Sequence, residues 1–144
     1  MTQAPKAAFK FNSYKISEFS FSDPEDGDVE GLVLSFDPNG KYIEENSTAV
    51  ITFNFSASYK QLGKDVVLAS VVMRGLFSFK ENCLFEDIPP YFYDNSIAIM
   101  FPYLRAFLSS MTQLANVKQV ILPLMNLSEM GKELKDKMTK INIG

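Results

Sequence analysis

The segment 48–59 constrains the fold more than any other part of the chain. Ala49, Ile51, Phe53, Phe55, Ala57 and Tyr59 share one parity. Thr48, Thr52, Asn54, Ser56 and Ser58 share the other, where Val50 is the apolar exception. A period of two with one apolar and one wet side marks a strand of an antiparallel sheet buried on one face. Such a strand needs paired neighbours and a layer over its apolar side. Before it, Leu32, Leu34 and Phe36 alternate with Val33 and Ser35 as another strand, and residues 37–40 (DPNG) carry a strong turn signal. After it, residues 60–65 close a hairpin around Gly63 into a strand over 66–79. The middle of that strand is apolar on both parities, which predicts cover on both sides.

The opening strand, 9–22, does not keep one parity. Phe9 and Phe11 share a phase, Tyr14 and Ile16 take the other, and Phe19 and Phe21 return to the first. A bulge would explain the switch, and so would a strand used by two surfaces. Residues 1–8 read as a flexible arm, and 23–30 (DPEDGDVE) as an acidic solvated loop.

Residues 80–96, with Pro89-Pro90, read as a polar loop, after which the period changes. Ile97, Phe101, Leu104, Leu108, Met111 and Ala115 form one helical face, and Met100, Tyr103, Phe107 and Leu114 a second beside it. A helix this apolar packs one side on the sheet and needs a partner subunit or ligand for the other. Pro102 lies near its start or kinks it. Residues 116–125 form an irregular apolar crossover broken by Pro123. Asn126 with Glu129 resembles a capping box opening a last helix, whose stripe is Met130, Leu134, Met138 and Ile141. The expectation is one α+β domain over 1–144: a four-stranded antiparallel sheet (9–79), then a long helix, a crossover segment and a second helix (97–141).

Composition removes most chemistry. The 144 residues contain no histidine, the commonest general base and metal ligand, and one cysteine, Cys83, which has no histidine to activate it. No glycine-rich phosphate loop is present, and the acids of 23–30 lack the spacing of a calcium loop. The formal net charge of -3 is too mild to point to nucleic acid or an anionic membrane. No apolar leader opens the chain, and its densest apolar run, 97–104, is too short to span a membrane. The chain reads as a cytoplasmic, soluble non-enzyme without cofactor, metal, nucleic-acid partner or membrane insertion. What remains is apolar surface: the two-faced helix, the crossover and the phenylalanine-rich strands. It serves either polypeptide binding or a permanent oligomer interface.

Three segments resemble the SecB protein-export chaperone family. Phe9-Lys10-Phe11 running to Glu18-Phe19-Ser20-Phe21 is similar to the family's opening strand. Arg74-Gly75-Leu76-Phe77-Ser78 is similar to the close of its fourth strand. Phe101-Pro102-Tyr103-Leu104-Arg105, followed by Leu122-Pro123-Leu124-Met125-Asn126-Leu127, is similar to its FPYxR helix start and its proline-containing crossover. The resemblance covers residues 9–134. It implies a homotetramer, a dimer of dimers, acting as an ATP-independent holdase that keeps precursor polypeptides unfolded for export. The implied client groove comprises Leu32, Leu34, Phe36, Phe101, Tyr103, Leu122, Leu124, Met125 and Leu127, each of which also reads as core. The resemblance further implies docking to the SecA motor through carboxylates on the sheet's outer side. Glu18 matches one of them, but Ser22 and Ser70 stand where the family has acids. The acidic C-terminal tail is replaced by a slightly basic end, so the SecA contact is weakened. Two alternatives stand beside export: a dedicated SecB-like chaperone of one partner such as an antitoxin, and a structural oligomer without clients.

Overall fold

The computed structural model describes residues 9–22, 32–61, 63–117, 122 and 127–141. Strands Phe9–Phe21 (β1), Val33–Ile43 (β2), Thr48–Gln61 (β3), Lys64–Phe79 (β4) and Met138–Ile141 (β5) form one sheet in the order β1-β4-β3-β2-β5. The helices are Tyr91–Leu114 (α1) and Ser128–Lys137 (α2), with short 3-10 turns at Glu44–Asn46 and Phe85–Asp87. The arm at 1–8, the acidic segment 23–30 and most of the crossover lie outside the described residues.

The sheet is five-stranded and mixed, not four-stranded and antiparallel. β1 to β4 pair antiparallel, but β5 runs parallel to β2, from Gly40↔Met138 to Ile43↔Ile141. The last helix therefore stops earlier than its apolar stripe. Met138 turns extended (φ -71, ψ 134) and reaches the core from a strand. Gly40 makes room for it, since a Cβ there would overlap the Met138 sulfur and lie 2.9 Å from Ile51 Cδ1.

The sequence 37–40 is not a turn. Asp37 to Gly40 stay in register with Asn54 to Ile51 inside β2. Proline survives there because β5 joins only at Gly40, so the outer edge beside Pro38 has no described strand to receive an N–H bond. The hairpin at Gly63 is present, with the glycine at φ 77 in the left-handed region.

The parity switch of β1 is a pair of bulges, between Phe11 and Ser13 and between Ile16 and Glu18. They bring Phe9, Phe11, Tyr14, Ile16, Phe19 and Phe21 opposite Phe79, Phe77, Gly75, Met73, Val71 and Ala69, so all six share the helix side of the sheet. A third irregularity, at Ala57 and Ser58, buries both Leu68 and Ala69. β4 is nevertheless covered by the helices on one side alone: Leu76 and Val67 are exposed on the other.

Helix α1 begins at Tyr91, six residues before the expected start, directly after Pro89-Pro90. Phe92 is fully buried, with its ring centroid 4.9 Å from Phe9, 5.4 Å from Phe77 and 4.8 Å from Phe79. Met100 packs over Gly75, where a Cβ would lie 2.7 Å from its sulfur. With Ile97, Leu104 and Leu108, these side chains fill the layer between helix and sheet, each contributing roughly 1.5–3 kcal/mol on burial. Pro102 lies inside α1 on its exposed side, where Ala98, whose carbonyl loses its helical bond, is also exposed. The helix ends in a Schellman closure: Val117 N–H donates to Thr112 O (3.2 Å) and Asn116 N–H to Gln113 O (3.1 Å). Asn116, at φ 57, supplies the left-handed residue. The N-cap of α2 is Leu127, whose side chain makes no cap bond, and Asn126, the expected cap, lies outside the described residues.

Candidate functional site

The nine candidate groove residues separate into distinct places. Leu34 and Phe36 lie on the helix side of β2, partly buried against the core. Phe36 has ring centroids 5.7 Å from Phe53, 5.1 Å from Phe55 and 5.9 Å from Phe101, so two candidates from distant segments meet. Leu32 continues the same parity beyond the strand and is exposed. These residues form an apolar lane along β2, beside an edge that no described strand covers before Gly40. Phe101 is the buried floor of the lane rather than its accessible wall, and Leu122 is fully buried in the core. Leu127 is half-buried against the core, while Leu124 and Met125 lie outside the described residues.

Tyr103 belongs elsewhere. Its ring stands 4.5 Å from Tyr14 and 5.8 Å from Phe11, over β1 at the opposite edge of the sheet. Phe19 meets Phe107 at 5.3 Å and Phe21 at 5.8 Å further along that edge. Tyr14, Phe19 and Tyr103 are 44%, 52% and 40% exposed, too open for core residues of their size. The sequence signal for this seam is the parity switch of β1: once its bulges are counted, every aromatic ring of that strand lands on one side.

Ion pairs and hydrogen bonds fix the far end of the lane. Lys137 at the end of α2 bonds Asp37, next to Phe36, and Glu133 (2.8 Å). The Tyr42 hydroxyl donates to Cys83 O (2.7 Å), and Phe85 N–H donates to Glu44 Oε2 (2.8 Å), which ties the segment before α1 to β2 and the 3-10 turn after it. Burial, together with the hydrogen bond at Cys83, holds the Tyr42 phenol well above its ordinary pKa. On the outer side of the sheet, Glu18 is exposed opposite Val72. Ser20 and Ser70 share a hydroxyl–hydroxyl bond of 2.7 Å, and Ser22 N–H donates to Leu68 O. Among the described residues, no helix is long and apolar enough to cross a membrane.

No family model matches the chain. The uncharacterized protein MJ0357 of Methanocaldococcus jannaschii is 30% identical over 141 residues, covering 94% of this chain and 90% of that protein. The chain belongs to the family of MJ0357. Among solved structures, the fold is similar to that of a SecB-like chaperone, Rv1957 of Mycobacterium tuberculosis, solved in complex with a ChAD peptide from the antitoxin HigA1. The TM-score is 0.67 at 14% identity, over 83% of this chain and 92% of that one. The architecture of the MJ0357-family chain is thus similar to that of a SecB-like chaperone.

Proposed function

We propose that the protein is a SecB-like chaperone: an ATP-independent cytoplasmic holdase, without catalysis, that takes extended polypeptide along the β2 lane and serves a narrow set of clients. The observation that carries this reading is the lane itself. Leu32, Leu34 and Phe36 present a period-two apolar row beside an edge free of described strands up to Gly40. An extended client can seat alternate side chains on that row and offer its backbone to the edge. The SecB-like neighbour, solved with an antitoxin peptide, supports a polypeptide as the occupant.

Each client side chain buried gains roughly 1.5–3 kcal/mol, and ordering a disordered segment costs about 2–5 kcal/mol or more. One lane therefore binds weakly and reversibly, while several linked lanes raise affinity by about 10²–10⁴. Assembly supplies the linkage. The seam of Tyr14, Phe19, Tyr103 and Phe107, together with the uncovered side of α1, suits a second copy. The dimer of dimers implied by the SecB resemblance fits this need. A narrow client set is favoured over general export because, among the described residues, the sheet's outer face carries only the scattered carboxylates Glu18, Asp37 and Asp65, of which Lys137 already holds Asp37, and a hydroxyl pair occupies Ser20 and Ser70. That leaves little for a SecA motor to grip.

The test is light scattering of chemically unfolded proteins diluted without ATP, run on a panel of substrates that includes apolar extended peptides as competitors. Suppression near stoichiometric amounts for some substrates, relieved by the peptides, is the expected result. Absence of protection for every substrate at several-fold excess refutes the holdase reading and leaves the structural oligomer.

A further inference from the structure

The outer face of the sheet takes no part in the lane, and its charges are arranged against the chain's overall balance. In register, Lys15 on β1 stands directly opposite Arg74 on β4, with Thr52 and Asn39 completing the row. The next row holds Leu76, Val50 and Lys41, and the one beyond holds Lys10, Ser78 and Thr48. Four cations thus surround an apolar strip on a chain whose formal net charge is -3. Ser13, Lys15, Val50, Arg74 and Leu76 line a shallow depression there of about 250 Å³. Among the described residues, none of the four cations makes an ion pair. The described carboxylates on this face are Glu18, one row away, Asp37, which Lys137 already holds, and Asp65, at the far end of β4 opposite Lys60. Like charges directly opposite on neighbouring strands are destabilising, so the Lys15–Arg74 pair is a cost to the free protein that a bound anion would relieve.

We propose that this face docks an acidic, extended polypeptide segment, its carboxylates on Lys15 and Arg74 and its apolar side chains on Val50 and Leu76. The repeat fits. The Arg74 and Leu76 rows are two residues apart, roughly 6.5 Å along a strand, which is the spacing of same-side side chains in an extended peptide. A peptide running along β4 with acidic and apolar residues on that side satisfies both rows at once. A phosphate backbone would match the cations but leave Leu76 and Val50 without apolar contact. The site lies on the opposite side of the sheet from the client lane, and the two proposals fail separately.

Fluorescence anisotropy of the full chain tests it, with labelled short peptides built from Glu and Val, the same peptides with Lys for Glu, and a labelled oligothymidylate. The Glu–Val peptides are expected to bind and to weaken as salt is raised. The double reversal Lys15→Glu with Arg74→Glu is expected to bind them roughly tenfold more weakly and to gain affinity for the Lys–Val peptides. Arg74→Gln is expected to weaken peptide binding while raising the unfolding midpoint, the signature of a residue kept at a cost to stability. Suppression of aggregation stays unchanged in these variants. Equal binding of the Glu and Lys peptides, unchanged binding by the double reversal, or tighter binding of the oligothymidylate overturns the proposal.

Discussion

Replacing Gly131 with alanine tests how closely α2 lies on α1. Helix propensity alone makes Gly131→Ala stabilising by about 0.5–1 kcal/mol. The structure predicts the opposite sign. A Cβ at Gly131 would overlap the Asp94 carboxylate and lie 2.9 Å from Asp94 Cα. The exposed carboxylate can swing aside, but the backbone cannot. Restoring an ordinary separation of 3.4–4 Å requires α2 to retreat by about 0.5–1 Å. A gap of that size forfeits about a quarter to a half of the dispersion well wherever it opens. Met130 and Leu134, both buried on α2, lose packing in this way. The expected strain is about 1–3 kcal/mol, the range for overpacking. After the propensity gain, the net loss is about 0–2.5 kcal/mol, centred near 1 kcal/mol, a fall in Tm of roughly 3–4 °C at that centre. Urea denaturation followed by circular dichroism measures it. Asp94→Ala alone should be nearly neutral and should not rescue Gly131→Ala, because the clash with the α1 backbone remains. A Gly131→Ala protein more stable than the parent, by the gain that helix propensity alone gives, refutes the close approach of the two helices.

Three further outcomes follow from named residues. Phe36→Ala should weaken binding of a labelled unfolded client by about tenfold, the equivalent of one apolar side chain's burial, with the far-ultraviolet spectrum unchanged; unchanged affinity would remove the β2 lane from the site. Leu104→Ala, at a fully buried position, should cost about 2–5 kcal/mol, while Leu114→Ala, on the exposed helix end, should stay within about 0.5 kcal/mol; comparable losses at both would contradict the packing of α1. Alkaline stability should depend on Tyr42. Its folded pKa is raised by burial, so from about pH 10 the unfolded chain loses a proton that the folded chain keeps. The stabilisation is full below that pH and is lost as pH rises through it. Denaturation midpoints for Tyr42→Phe should therefore fall less steeply above pH 10 than those of the parent, and identical slopes would count against this origin.

Much of the sheet was legible because its information is local. The alternation of 48–59 names the buried side of β3 without reference to any neighbour, and the side it names is the one α1 covers. The six aromatic and aliphatic residues of β1 announced a break in phase, and two bulges account for it. The elements that escaped are those whose local signals point one way and whose neighbours decide the other. Residues 37–40 have turn chemistry but stay extended because eleven successive pairs join β2 to β3. Tyr91 to Ser96 looked polar, yet Phe92 meets three phenylalanines that lie far away in sequence or across the sheet.

The candidate site divides along the same line. Sequence alone supplied the apolar residues of the lane, the FPYxR helix and the absence of histidine, since residue type and period are properties of the chain by itself. Tertiary structure decided that Phe36 meets Phe101, that Tyr103 turns to the β1 edge and that Leu122 is core. It also decided that Met138 leaves a helical stripe to start a parallel strand, and that Lys15 faces Arg74. Each of these depends on which segments lie side by side. That is settled by the sum of many long-range interactions, and no local pattern of residues records it.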